Sequence, residues 1–176
     1  VVSAVCLNKN LMGLTMNNSP ASIFLIDDHP AVREGLALLL AQDSHIICGE
    51  AGNCAEARAR LSDCQADVVL LDLHLGKESG MDLIGELRQS GIRVLVYSMY
   101  EDAGMIRQVF ANGANGYVCK REVSGELVSA VRAVLQGERH VSPVAAQSLV
   151  DTMIGPESNQ HEPVLSEREQ QIISLL

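Results

Sequence analysis

With 176 residues the chain has room for one domain with a sizeable core, a linker and little else. Hydrophobic residues make up 47% and charged residues 20%, as in ordinary globular proteins, while the net charge of -9 argues against nucleic-acid binding by general phosphate attraction, which needs clustered Lys and Arg. Five scattered cysteines, Cys6, Cys48, Cys54, Cys64 and Cys119, without a Cys-x-x-Cys pair, fit thiols in a reducing cytoplasm better than a disulfide framework or a zinc site, and no apolar stretch reaches the length of a membrane span.

Residues 1–20 hold scattered apolar positions, the polar run Asn17-Asn18-Ser19-Pro20 and one charge, Lys9. They read as a disordered leader rather than a signal peptide, with Met16 a natural-looking beginning. Strand and helix then alternate, which calls for a parallel sheet covered by helices on both faces. Strand one is predicted over Ser22–Ile26, and a helix from Pro30, tolerated in a first turn, to about Gln42. Ile46 to Glu50 reads as strand two, Cys54–Leu61 as a helix and Val68–Leu71 as strand three.

The loop from Leu73 to Gly80 leads to a helix over Met81–Gln89, closed by Gly91. Strand four is predicted from Arg93 to Tyr97, a helix from Met105 to Ala111, strand five from Gly116 to Val118 and a last helix from Glu122 to Gln136. Val128 and Leu135 widen the apolar stripe of that helix beyond what one core face needs, which fits a dimer surface and tertiary burial about equally. Pro143 to Met153 reads as a polar helix or an extended linker, and residues 155–163 as flexible by composition. Ser166 followed by Glu169 is a capping box opening an amphipathic helix.

The chemistry lies at the strand ends. Strand one ends in Asp27 and Asp28, strand three in Asp72, strand four in Ser98 and strand five in Lys120. In an open α/β sheet, ligands bind in the crevice outside the carboxyl ends of the strands. Mg²⁺ takes oxygen ligands and keeps several waters, so Asp28 and Asp72 fit as direct ligands, with Asp27 orienting water. A divalent ion screens the repulsion between carboxylate and phosphate, which makes Asp72 a plausible nucleophile for an aspartyl phosphate. Lys120 and Ser98 supply a cation and a hydroxyl for the phosphoryl oxygens. Taken singly, an acid at a strand end more often caps a helix or solvates a loop. Together, in this order, the five side chains fill every role that phosphoryl transfer to a carboxylate requires.

Ile26-Asp27-Asp28-His29-Pro30, Val69-Leu70-Leu71-Asp72-Leu73, Val96-Tyr97-Ser98 and Gly113-Ala114-Asn115-Gly116-Tyr117-Val118-Cys119-Lys120 resemble the receiver domain of two-component response regulators, over about Ser22 to Gly137. His29-Pro30, Gly137-Glu138-Arg139 with Ser142-Pro143, and Leu165-Ser166-Glu167-Arg168-Glu169 are similar to the NarL/FixJ subfamily, whose output is a LuxR-type helix-turn-helix. The resemblance implies an α/β fold, a doubly wound five-stranded parallel sheet in the order 2-1-3-4-5. It divides the chain into a leader over 1–20, a receiver over 21–138, a linker over 139–164 and a truncated start of the output domain over 165–176. Asp72 is by this resemblance the phosphoacceptor, with Asp27, Asp28 and the backbone carbonyl of His74 joining it at Mg²⁺. Lys120 and Ser98 then contact the phosphoryl group. Tyr117 takes the place of a switch aromatic that turns inward as Ser98 bonds that group.

The same resemblance implies a cytoplasmic protein that is not an enzyme and takes phosphate from a sensor histidine kinase. It implies a homodimer on phosphorylation, DNA contact through a full-length output domain only, and no membrane partner. Two departures stand out. Leu75-Gly76-Lys77-Glu78-Ser79-Gly80 replaces the proline-glycine turn many receivers carry after the acceptor, and Arg121 follows Lys120 where many carry a proline that eases a cis bond, leaving the state of that bond open. Two other classes compete. A haloacid dehalogenase-type phosphohydrolase also forms an aspartyl phosphate with Mg²⁺, but it places its nucleophile in an Asp-x-Asp motif after strand one. A nucleotide- or flavin-binding domain is disfavoured because no Gly-x-Gly-x-x-Gly follows strand one.

Overall fold

The structure, a computed structural model, describes residues 20–154. Strands β1 (Ser22–Ile26), β2 (Ile46–Ala51) and β3 (Val68–Leu71) alternate with helices α1 (Pro30–Gln42) and α2 (Cys54–Leu61). A two-residue hairpin, β4 (His74–Leu75) and β5 (Glu78–Ser79), precedes α3 (Met81–Gln89). Then come β6 (Arg93–Ser98), α4 (Ala103–Ala111), β7 (Gly116–Cys119), α5 (Ser124–Leu135), β8 (His140–Val141) and α6 (Pro143–Ile154). The main sheet is parallel throughout, in the order β2-β1-β3-β6-β7-β8.

Strands covered on both faces read as continuous apolar runs, and β3, Val-Val-Leu-Leu, is buried at every position. The two-residue period divides the core. Ile23, Leu25, Val68, Leu70, Leu95 and Val118 face the side closed by α1 and α5. Phe24, Ile26, Val69, Leu71, Val94, Val96 and Tyr117 face the side closed by α2, α3 and α4. Gly49 lies against the Phe24 ring, where a Cβ would come within 2.6 Å of Cε2, so the edge strand β2 closes over that ring only with glycine.

The expected strands appear with the expected order, and the sheet then continues by one strand. β8 lies within the span read as a linker over 139–164, and a two-residue strand is too short to carry a periodic signal. Tertiary contacts create it: His140 N donates to Asn115 O, Ser142 N donates to Tyr117 O at 2.9 Å, and His140 Nε2 lies 2.7 Å from Glu126 Oε1. Helix α6 packs on α4 and β7, buries Ala145 completely, and has its Val144 N–H capped by Glu122 Oε1 at 2.7 Å. Helix α4 starts two residues before the expected Met105, because Asp102 accepts from Met105 N at 2.8 Å and caps it. In α5, Leu135 packs against the core and Val128 is half-buried, so tertiary burial accounts for part of the wide stripe.

Cys48 and Cys64, expected as thiols, form a disulfide because β2 and the turn after α2 bring their Cα atoms to 6.1 Å. Cys54 and Cys119 are free and buried. No peptide bond among the described residues is cis, so the Lys120-Arg121 bond is trans. The expectations of a leader before Pro20, of a flexible stretch over 155–163 and of an output helix after residue 164 fall outside the described residues. No helix among the described residues is long and apolar enough to cross a membrane.

Candidate functional site

Backbone ladder bonds fix the acids where the strands end. Asp27 N donates to Ala51 O at 3.1 Å, Asp72 N to Ile26 O at 2.8 Å and Lys120 N to Ser98 O at 2.8 Å, so adjacent strands finish level with one another. Lys120 Nζ then reaches across the sheet end and donates to Asp27 Oδ2 and to Asp72 Oδ2, each at 2.6 Å. Asp27 and Asp72 are buried, at 2% and 6% exposure, so one ammonium is shared by two carboxylates largely out of water and leaves a net negative charge. Burial works against the Lys120 charge, but its bonds to Asp27 and Asp72 outweigh that and hold its pKa above the ordinary lysine value. The ammonium also sits 5.6 Å from the centroid of the Tyr97 ring.

Asp28 is half-buried beside this pair, with Oδ1 2.7 Å from His29 Nδ1. His29 N donates to Asp27 Oδ1 at 2.8 Å, and Arg33 Nη1 donates to the Asp27 carbonyl at 2.6 Å while its Nε bonds Glu50. The carboxylates of Asp27 and Asp28 and the His29 ring place potential ligand atoms within 4.8 Å of one another. Asp72 joins this group through Lys120 rather than through a shared set of ligand atoms. His74 N donates to Asp72 Oδ1 at 3.2 Å, which puts the β4–β5 hairpin directly over the acid. Glu78 ties that hairpin down by accepting from Cys54 N at 2.9 Å.

Gly80 closes the loop beneath Asp72. A Cβ there would sit 2.4 Å from the Asp72 carbonyl oxygen and 3.1 Å from Leu71 Cδ1, so only glycine fits. Gly80→Ala is therefore expected to cost about 1–3 kcal/mol of stability, because overpacking against backbone has little room to relax. Urea unfolding checks this, and a variant as stable as the parent would show that the loop accommodates the methyl group.

Ser98 lies at the end of β6 with its Oγ buried and without a hydrogen-bond partner among the described residues. The Tyr117 ring is fully buried, and its hydroxyl donates to Tyr100 O at 2.6 Å, which ties the core face of β7 to the loop after β6. Burial pushes the Tyr117 phenol above its ordinary range. Two further ties fasten the same β6–α4 loop to the end of β7. Cys119 Sγ donates to Glu101 Oε1 at 3.0 Å, and Arg121 forms an ion pair with Glu101. Arg121 holds the Glu101 carboxyl below the usual range, with the Cys119 bond adding to the effect.

Asp27, Asp72 and Lys120 thus meet directly and Asp28 stands beside them, while Ser98 ends β6 and Tyr117 lies within β7, opposite Val96. Residue-type reasoning assigned no role to His29, Tyr97, Gly80 or the Glu101–Arg121 pair. His29 directly follows the two acids and was within reach of sequence reasoning. The others depend on contacts between strands distant in sequence.

A doubly wound parallel sheet with acids and a lysine at the carboxyl ends of its strands defines a class of domain that binds at that edge. Comparison with known proteins gives the family. The profile of the response regulator receiver domain matches residues 23–132. The oxygen regulatory protein NreC of Staphylococcus carnosus is 32% identical over 164 residues, covering 88% of this chain and 76% of the relative. The DNA-binding transcriptional activator DevR/DosR of Mycobacterium tuberculosis is 36% identical over 160 residues, covering 88% and 73%. A crystal structure of a LuxR-family two-component response regulator from Aurantimonas sp. SI85-9A1 superposes with a TM-score of 0.74 at 34% identity, covering 77% of this chain and 99% of that one. The chain belongs to the response regulator receiver family. It is the receiver domain of a LuxR-family response regulator, a class that regulates transcription, and its relatives are regulators rather than phosphohydrolases.

Proposed function

We propose that Asp72 accepts a phosphoryl group from a sensor histidine kinase, and that the change at this acid is relayed through Ser98 and Tyr117. The observation that carries the reading is the single ammonium of Lys120 shared at 2.6 Å between Asp27 and Asp72, at the edge where ligands of such sheets bind. One buried cation serves two acids and offsets only one charge, so the Asp27–Asp28–His29 group retains negative charge and oxygen donors suited to a hard divalent ion. Asp28, Asp72 and the carbonyl of His74 would hold Mg²⁺, with Asp27 acting through water. Bound there, the ion would lower the repulsion between an incoming phosphate and the carboxylates.

The chain's own groups do the rest. Asp72 presents a carboxylate oxygen, and the His74 N–H bond to its other oxygen holds the group in orientation. Lys120 can leave Asp27 for a phosphoryl oxygen without losing Asp72, keeping its charge at the reacting centre. The free Ser98 hydroxyl can donate to another such oxygen, drawing the β6–α4 loop that Tyr117, Cys119 and Arg121 fasten. In the cytoplasm the relay would end in dimerisation and in DNA contact by an output domain like that of the relatives.

Incubation with acetyl phosphate and Mg²⁺ tests the reading by intact mass: one added phosphoryl group is expected, and none after chelation. A chain that stays unmodified under both conditions would overturn it. Ser98→Ala separates acceptance from relay. Removing an unpartnered buried hydroxyl should raise the stability of the unphosphorylated chain by about 1 kcal/mol, since that group loses water without a protein bond in return. Labelling should persist while the amide-exchange change over residues 99–104 on activation is lost. An unchanged exchange response would detach Ser98 from the relay.

A further inference from the structure

The opposite end of the sheet carries a cavity whose chemistry differs from that of the acid edge. About 410 Å³ opens between the end of α3, the start of β6, the turn after α4 and the approach to β8. Small-molecule sites occupy roughly 300–1,000 Å³. Arg88, Arg93 and Arg139 line this one and no Asp or Glu does, although acids outnumber Lys and Arg by 22 to 13 in the chain. It lies at the N-terminal ends of β6 and β7, while Ser98 and Lys120 stand at their far ends. Six residues of strand separate the two by about 17 Å.

The three arginines differ from most others in the fold. Arg33, Arg58, Arg121 and Arg132 pair with Glu50, Glu86, Glu101 and Asp43. Arg88, Arg93 and Arg139 have no carboxylate partner among the described residues. Three like charges on one cavity repel one another, which an anion between them would relieve. The lining is also built to present them. Gly113 has a φ of +105°, and a Cβ there would fall 2.2 Å from Arg88 Cδ and 3.0 Å from its Nε. The Arg88 side chain therefore lies across bare glycine backbone. Asn115 Oδ1 accepts from Val94 N at 3.0 Å, which fixes that amide and leaves its NH₂, without a protein acceptor among the described residues, as a further donor.

We infer that this cavity binds a small oxyanion of the diphosphate class. Guanidinium forks match phosphate oxygens two at a time, and a diphosphate offers enough oxygens to engage several arginines at once. A long nucleic-acid strand is a poorer fit to a chain of net charge -9, which gives no extended basic track to follow its phosphates.

Titration of the full chain with inorganic pyrophosphate, free of divalent metal and followed by calorimetry and backbone amide shifts, tests the assignment. Saturable binding at one site is expected, with shifts at residues 91–93 and 113–115, weakening as salt is added. Arg88→Gln and Arg93→Gln should each weaken it about tenfold, the loss of one charged hydrogen-bond donor. Arg107→Gln, which removes an arginine outside the cavity, should leave it unchanged. Absent binding, binding that survives Arg88→Gln with Arg93→Gln, shifts confined to the Asp27 and Asp72 end, or sulfate binding as tightly as pyrophosphate would each overturn the assignment.

Discussion

Asp72→Asn should abolish labelling by acetyl phosphate, leaving the intact mass unchanged under conditions where the parent chain gains one phosphoryl group. Three acids crowd this edge, and their surroundings differ. Asp27 has both oxygens engaged at short range, by His29 N at 2.8 Å and by Lys120 at 2.6 Å, and it is the more deeply buried of the acids that share Lys120. Asp28 is turned toward His29. Asp72 directly follows β3 in the middle of the sheet, between β1 and β6, with one oxygen held only at 3.2 Å by His74 N. It is the carboxylate that Lys120 and the Ser98 strand end can serve together. The asparagine variant should fold, because removing one of two acids that share a single ammonium relieves repulsion without orphaning the lysine. A melting temperature near that of the parent would establish that folding. Equal labelling of parent and variant would move the acceptor to another acid.

Lys120→Met should cost about 3–5 kcal/mol in the absence of divalent metal, the range for removing one partner of a buried ion pair. The side chains of Lys120, Asp27 and Asp72 retain only 12%, 3% and 7% of their exposure, so the two carboxylates would be left close together without a cation and with little water to screen them. A methionine of similar reach can fill the same space beside the Tyr97 ring and isolates the loss of charge. Added Mg²⁺ should recover part of the loss by supplying positive charge to the same oxygens. Denaturant unfolding with and without the metal makes the comparison. A variant within about 1 kcal/mol of the parent, the value typical of an exposed pair, would show that water rather than Lys120 balances the acids.

The order of elements and the acid edge were legible in the chain because both follow from local pattern. Fully apolar runs such as Val68–Leu71, set between helical periods and ended by Asp, fix a buried parallel strand and deliver its carboxylate to the edge where strands stop. Once Asp27, Asp72 and Lys120 each follow such a run, parallel pairing brings them together with no further information.

What the chain could not show locally lies in pairings across long separations. Lys120 bonds Asp27 over 93 residues, and nothing near either position states that one ammonium will serve two acids. His140–Val141 becomes a strand because β7 offers an open edge, and α6 docks on α4 and β7 with Ala145 buried in the core and Leu149 packed against it. The Cys48–Cys64 bond and the gathering of Arg88, Arg93 and Arg139 on one cavity likewise need the sheet in place before the residues are neighbours. The sequence by itself determined the five long strands and which chemistry stands at their ends, because backbone period and strand termination are local. The tertiary structure alone decided which charges share a partner, which remain unpaired and which short segment joins the sheet, because those depend on packing distant parts of the chain against one another.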